Sequence, residues 1–469
     1  MSFLRNAALY TDFYELTMAQ GYFYQGKAQE VAVFDYFYRD NPFQGGYVLF
    51  AGLGDLLRTL VELRFEPQDI DFLRSKGFRP EFLDYLATFR FTGNVRAVNE
   101  GEIIFPLTPI LQVEAPIVEA QVIETLLLNV LNFSSLIATK ASRMRLAAGN
   151  RTLLDFGLRR SQGLGGIQAT VASFIGGVEA TSNVYAARDY NLKLSGTMAH
   201  SWVQSFESEL DAYNAYADQY PDTTVLLVDT YDTLRSGVPN AIKTAKYLEK
   251  SGKKLLGIRI DSGDLAYLSR QARIMLDEAG LQYVKIAVSN QLDEYIIKSI
   301  LDQGAPVDIF GVGTRLVTGH DDSALDGVYK LSKFGGKPKI KISENIVKVN
   351  FPDKKNVIRY SRENGEFTAD AICLESEKTI ETMFHPFFPE KNIDLRSYKA
   401  ERLLQPAIHK GELARKIATI DESASYAKKR LAYLAAEYRR FEFPHEYKVG
   451  ITRRLLNLQR KLLEQHKRK

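Results

Sequence analysis

The sequence predicts an α/β fold, a (β/α) barrel with a second α+β domain, on three observations. From Thr152 onward, strand-like runs alternate with helix-like ones. Strands are expected at Thr152–Phe156, Thr224–Asp229, Leu255–Asp261, Tyr283–Ser289 and Val307–Val312, with helical patterns at Val238–Ser251, Leu265–Ala279 and Leu292–Gln303. Such alternation marks parallel strands joined by helical crossovers. The strands are nearly continuous apolar runs, as in Val225-Leu226-Leu227-Val228, which fits burial on both faces. Polar residues recur at the C-terminal ends, at Asp229, Asp261, Ser289-Asn290 and Gly313-Thr314. A barrel carries its active site at that end. An open doubly wound sheet binds there too, but recurrence over many units, rather than around one switch point, favours the barrel.

The flanking regions read differently. Thr11 to Tyr24 reads as a helix that ends before the Gln25-Gly26 breaker, and Val31–Tyr38 is β-branched and aromatic enough for a strand. Gly93 to Pro116 suggests short strands and tight turns, and Ile123 to Ala148 a long helix. Beyond Ser323, short Lys- and Gly-rich strands are expected at Gly327–Lys333, Pro338–Ile342, Ile346–Asn350 and Val357–Tyr360, with helices resuming near Ser423. The expected organisation is residues 1–140 as an N-terminal α+β domain and 141–325 as the barrel. Residues 326–422 form a strand-rich segment rejoining the first domain, and 423–469 a basic helical extension.

Composition sets limits. Hydrophobic residues make up 45% and charged residues 25% of 469, the balance of a globular protein with a sizeable core. The single cysteine, Cys373, excludes an intrachain disulfide and a cysteine-based zinc knuckle, and fits a reducing compartment. Met1 to Asp12 has no signal-peptide pattern, and no run approaches the ~18 apolar residues of a membrane span. A cytoplasmic protein without a membrane partner is expected. The net charge of +4 is concentrated in the tail, where Arg453, Arg454, Arg460, Lys461, Lys467, Arg468 and Lys469 face one acid, Glu464. A nucleic-acid-binding tail is one reading. An amphipathic helix with Ile451, Leu455, Leu456, Leu458, Leu462 and Leu463 on its apolar face is the preferred one, because no aromatic residue interleaves the cations.

Four segments carry candidate chemistry. In Ser195-Gly196-Thr197-Met198-Ala199-His200-Ser201, small residues leave room around an imidazole, whose neutral nitrogen can attack a phosphoryl group if the other nitrogen is held. In Arg259-Ile260-Asp261-Ser262-Gly263-Asp264, Arg259 and Asp261 share a strand face. Asp261 could accept ribose hydroxyls, and Asp264 could join it around Mg²⁺, which takes carboxylates plus substrate phosphates. Gly311-Val312-Gly313-Thr314 offers close backbone approach to a phosphate and a hydroxyl. Asp155-Phe156-Gly157-Leu158-Arg159-Arg160 combines a flat ring with positive charge, suited to an aromatic acid.

Taken in order, these segments resemble the nicotinate phosphoribosyltransferase family. The likeness runs from Thr11–Met18 through Asp155–Arg160, Gly176–Asn183, Ser195–Ser201, Arg259–Leu265 and Gly311–Thr314 to Gly327–Leu331 and Lys341-Ile342-Ser343. The resemblance implies an irregular barrel of the type II phosphoribosyltransferase kind, a second domain built from N-terminal and later segments, and a homodimer with shared active sites. It implies transfer of phosphoribosyl from 5-phosphoribosyl 1-pyrophosphate to nicotinate, with Mg²⁺ as cofactor. ATP would be a co-substrate, hydrolysed through a phosphohistidine at His200. Phe156 would stack on the pyridine ring, and Tyr14 of the partner subunit would cover its other face. Arg259 and Asp261 would serve the phosphoribosyl site, with Gly311, Gly313 and Thr314 forming the 5-phosphate cup. Arg259, Arg159 and Ser182 are the candidates for the nicotinate carboxylate. Where relatives often read Gly-Gly-Phe-Asp, this chain has Gly176-Gly177-Val178-Glu179, which argues against a substrate role for Glu179. A nicotinamide-using enzyme is the runner-up reading, and a nucleic-acid-binding protein a more distant one.

Overall fold

A computed structural model describes residues 7–342 and 350–467. The strand expected at Ile346–Asn350, Ser343, the start of Met1–Asp12 and the final Arg468 and Lys469 fall wholly or partly outside the described residues. The chain divides into two compact units, Lys140–Ser323 and a composite of Met1–Thr139 with Ala324–Lys469.

The unit Lys140–Ser323 is built on six parallel strands: Thr152–Asp155 (β1), Ala180–Thr181 (β2), Val225–Leu227 (β3), Gly257–Ile260 (β4), Lys285–Ser289 (β5) and Ile309–Val312 (β6). Their order across the sheet is β2-β1-β6-β5-β4-β3. The pairing of β1 with β6, Leu153 beside Phe310 and Asp155 beside Val312, joins the first strand to the last. A doubly wound sheet does not do this; a barrel does. The curl stops at one seam, because β2 and β3 do not pair. Leu153, Leu226, Ile258, Ile286, Val288 and Phe310 are all fully buried, as strands covered on both faces require.

The sequence expectation missed β2, whose two residues are too short a run to stand out. It also placed strand ends too far along: Phe156, Asp229 and Asp261 lie just past β1, β3 and β4. At Asp229 and Asp261 the polar residue that ends the apolar run has already left the ladder to make side-chain contacts.

The composite unit holds a seven-stranded sheet, in the order 337–338, 327–334, 31–38, 111–116, 94–97, 405–409 and 412–413. Val31–Tyr38 lies at its centre, antiparallel to both neighbours, so Ala32, Tyr36 and Tyr38 have no exposed surface. A six-stranded sheet includes 355–361, 367–374, 382–384 and 448–451. The C-terminal stretch is therefore not helical throughout, since Lys448–Ile451 pairs in parallel with Ala369–Ile372. The final helix, Arg453–Lys467, packs Leu455 and Leu456 against Phe351, Ile372, Phe384 and Ile451, so its apolar face is covered by its own unit. No helix among the described residues is long and apolar enough to cross a membrane.

Candidate active site at the strand ends

The barrel unit gathers most of the chemistry-bearing residues at the C-terminal ends of its strands. Phe156 follows β1 directly, its amide donating to the Val312 carbonyl at 2.7 Å. Its ring lies over Gly311 on β6, where a Cβ would come within 2.6 Å of two ring carbons. Gly311 thus has a duty the sequence did not suggest: it is the shelf for the Phe156 ring. A Cβ on Gly313 would sit 3.3 Å from the Phe156 carbonyl oxygen, so that turn also runs close to the same residue. Thr314 opens the short helix Thr314–Val317, and the next residue, Arg315, is ion-paired with buried Asp293. That pair fixes the turn to the helix Glu294–Asp302, which Asp293 also caps through the Ile296 amide at 2.8 Å.

Arg259, on β4, donates from Nη2 to the Met198 carbonyl at 2.9 Å, and its guanidinium carbon is 6.0 Å from the Phe156 ring centroid. Burial pulls its pKa below the ordinary arginine value, Asp261 and Asp229 oppose that, and Arg159 adds to the depression. An arginine stays charged regardless, so this is a cation held in a dry site beside a flat ring. Its Nε is buried without a hydrogen-bond partner.

Asp261 and Asp229 end adjacent strands. Ser289 donates its hydroxyl to Asp261 Oδ1. Asp229 Oδ2 accepts the Asp261 amide at 3.0 Å and the Ser262 hydroxyl at 2.6 Å, while Asp229 Oδ1 is buried with no partner. After Ser289, Asn290 and Gln291 take positive φ values of 91° and 48°. Two successive non-glycine residues in that region store strain of the sort found at functional sites. Asp264 lies outside this cluster: exposed, it caps the helix Leu265–Glu278 by accepting from Tyr267 N at 3.0 Å.

The seam between β2 and β3 is where the histidine segment runs. Leu194 bridges to Thr181 at the edge of β2, and the Ser195 amide donates to the Thr181 carbonyl at 2.9 Å. His200 then opens the short helix His200–Gln204, with its Nδ1 3.1 Å from Thr230 Oγ1, just past β3. The segment therefore crosses from one edge of the sheet to the other.

Beneath Phe156 lies a buried network that the sequence gave no reason to separate from the rest of its motif. Asp155 accepts from the Gly157 amide and from the Thr170 and Thr181 hydroxyls, each at 2.8 Å. Burial holds its carboxyl above the usual range despite these donors. Asn183 joins through Thr170 Oγ1 at 3.1 Å. Asp229 and Ser289 were marked in the sequence only by their position at the strand ends, with no role assigned, and Thr230, the residue after Asp229, was not singled out. Of the carboxylate candidates, Arg159 and Ser182 are exposed and Arg259 is the one drawn inside. Tyr14 belongs to the composite unit, on the helix Phe13–Tyr24, and is half exposed, as are Phe13 and Met18 to differing degrees. Glu179 is paired with Arg145 at 2.6 Å, an ordinary structural contact.

Comparison with known proteins decides the family. Residues 152–366, the barrel and its continuation, match the nicotinate phosphoribosyltransferase (NAPRTase) family, while 9–132 and 354–459 match the N-terminal and C-terminal domains described for it. The chain belongs to the nicotinate phosphoribosyltransferase family. It is 41% identical over 458 residues to the nicotinate phosphoribosyltransferase of Bacillus subtilis, covering 95% of this chain and 93% of that one. To that of Caenorhabditis elegans it is 36% identical over 514 residues, covering 95% and 92%. The crystal structure of human nicotinic acid phosphoribosyltransferase superposes with a TM-score of 0.87 at 31% identity, covering 96% of this chain and 99% of that one. As a nicotinate phosphoribosyltransferase family member, the chain has the irregular barrel that the resemblance implied, and a second unit of mainly antiparallel sheets built from N-terminal and later segments.

Proposed function

We propose that the protein transfers phosphoribosyl from 5-phosphoribosyl 1-pyrophosphate to nicotinate, giving nicotinate mononucleotide and pyrophosphate for NAD salvage. The observation that carries this reading is the pairing of a flat ring with a buried cation, Phe156 on its Gly311 shelf beside Arg259. That pair suits a planar aromatic carboxylate: the ring stacks on Phe156 and the carboxylate meets Arg259. A carboxylate gives Arg259 a charge-assisted partner that a neutral amide does not, which favours nicotinate over nicotinamide.

In this mechanism the pyridine nitrogen bonds to the anomeric carbon as the bond from that carbon to pyrophosphate breaks. The protein supplies no nucleophile at carbon; its task is alignment and a fixed electrostatic environment. Asp261 accepts ribose hydroxyls, and the Gly313-Thr314 turn, braced by Arg315–Asp293, receives the 5-phosphate. Mg²⁺ fits the donors present. Asp229 offers a buried carboxylate oxygen with no donor, beside Asp261, whereas Asp264 is occupied with its helix cap. Such an ion would share its coordination with substrate phosphates. When bound, Mg²⁺ would neutralise the departing pyrophosphate.

His200 stands at the seam, against Thr230, and its proposed role is separate: phosphorylation by ATP changes the site's hold on substrate and product. A cytoplasmic homodimer completes the proposal, with the exposed Tyr10, Phe13, Tyr14 and Met18 of one protomer facing its partner. The test incubates the protein with nicotinate, phosphoribosyl pyrophosphate and Mg²⁺, with and without ATP. Mononucleotide should form in both, faster with ATP, and His200→Ala should lose the ATP effect while retaining slow transfer. Equal or better turnover of nicotinamide in competition would overturn the substrate assignment.

A further inference from the structure

We propose that the dipeptide Asp229-Thr230 is the positioning element through which the state of His200 reaches the carboxylate at Asp261. The inference rests on the phosphohistidine reading above and names the residues that would make it work.

Two consecutive residues face two different parts of the site. Thr230 Oγ1 is 3.1 Å from His200 Nδ1. Asp229 Oδ2 receives the Asp261 amide at 3.0 Å and the Ser262 hydroxyl at 2.6 Å. A peptide unit is planar and stiff, so a displacement of Thr230 is felt at Asp229.

The chain beyond the dipeptide is anchored. Asp232 accepts from the Leu234 and Arg235 amides at 3.1 and 2.8 Å and thereby caps the turn Thr233–Gly237. Ser236 and Asn240 both donate to buried Glu209. Gly237 passes so close to β3 that a Cβ there would lie 1.9 Å from the Val228 carbonyl oxygen, which forbids any larger residue and clamps the loop's return to the strand that launched it. Val228 itself is fully buried. With Val228 held on one side and the turn from Asp232 on the other, the Asp229-Thr230 unit between them is what can shift.

The chemistry follows from the histidine's two nitrogens. With Nδ1–H donating to Thr230 Oγ1, Nε2 presents its lone pair. Nε2 bonds to the terminal phosphorus of ATP as the bond from that phosphorus to the bridging oxygen breaks. ADP leaves, and the Nδ1 proton stays on the ring. The ring then carries a dianionic group, and its bond to Thr230 becomes charge-assisted. That change in pull arrives at Asp229, whose Oδ2 orients Asp261 and Ser262. Thr230 is thus a positioning residue for His200, and Asp229 the link from it to the phosphoribosyl site.

The test uses the full chain with γ-labelled ATP. It follows acid-labile, base-stable phosphoenzyme and the number of mononucleotides formed per ATP hydrolysed. Thr230→Val should slow phosphoenzyme formation by about tenfold or more, and Thr230→Ser, which keeps the hydroxyl, should restore it to within about threefold. Ser262→Ala should leave phosphoenzyme formation at the wild-type rate yet lower the product-per-ATP ratio, because it loosens the far end of the link. Wild-type phosphorylation in Thr230→Val, or no rescue by Thr230→Ser, overturns the positioning role. Wild-type coupling in Ser262→Ala overturns the link to Asp261. If the wild-type protein forms no phosphoenzyme, the phosphohistidine reading falls and takes this proposal with it.

Discussion

Two arginines, one in each unit, have their nitrogens matched to different degrees. In the composite unit, Arg359 is 1% exposed and all three of its guanidinium nitrogens are matched. Nε and Nη2 meet the two oxygens of Asp370 at 2.8 and 2.7 Å, Nη1 meets Glu102 at 2.5 Å, and Nη2 also reaches the Ile103 carbonyl at 2.7 Å. In the barrel unit, Arg259 Nε and Asp229 Oδ1 are buried without partners on neighbouring strands. A buried polar atom left without a partner is costly, so each one asks what completes it. Arg359 is matched within the fold; Arg259 bonds the Met198 carbonyl through Nη2 and leaves Nε without a partner, the place that the proposed substrate carboxylate would fill.

The sharpest way to break that contrast is to remove each arginine. Arg359→Met leaves Asp370 buried without its cation, and Glu102 with Arg430 as its remaining cation, and should lower stability by about 3–5 kcal/mol, read from urea unfolding. Arg259→Met should instead lower kcat/KM for nicotinate by about 10²–10³-fold, with unfolding free energy within about 1 kcal/mol of wild type. If the Arg259 variant unfolds and the Arg359 variant does not, the assignment of roles is reversed. Gly311→Ala comes next. Its methyl displaces the Phe156 ring, so KM for nicotinate should rise by about tenfold while the far-ultraviolet circular dichroism is unchanged.

The smallest expected effect concerns pH. Burial, reinforced by Asp55, holds the Glu100 carboxyl in the composite unit above its unfolded value of 4.5, against donors at Gly52 and Gly54. A carboxyl raised in this way contributes stability below its unfolded value, and that contribution is lost as pH rises through the folded value. The melting temperature of wild type relative to Glu100→Gln should therefore fall by about 1 °C between pH 4.5 and 7.5. A difference that grows with pH would show that the donors outweigh the burial.

Much of this was legible in the sequence, and for identifiable reasons. The strand Val31–Tyr38 was read to the residue because its β-branched and aromatic content is unbroken. The barrel was legible because each parallel strand is an apolar run closed by a polar residue. The ordered motifs around Phe156, His200, Arg259 and Gly313 identified the family. What stayed hidden depends on partners distant in sequence. Gly311 reads as a phosphate-binding glycine until Phe156, brought beside it by the β1–β6 pairing, is seen to need the space. Thr230 is one hydroxyl in a threonine-rich stretch until His200, thirty positions earlier, is found against it. Asp264 reads as half of a metal pair because it lies three residues from Asp261, and its Oδ1 also caps a helix, a duty visible only once the start of that helix is placed.

The unpaired edges of β2 and β3 have one further consequence. A closed ladder transmits distortion around its whole circumference, and moving a strand within it means breaking several backbone hydrogen bonds together. The stretch Leu194–His200 holds to β2 through one isolated bridge and a few amide bonds. It can therefore open and reclose at a small fraction of the free energy needed to unfold the barrel. In amide exchange, this stretch should lose protection well before β1, β4, β5 and β6. The histidine segment would then move without breaking the ladder of β1, β4, β5 and β6, as an expansion joint moves in a rigid wall.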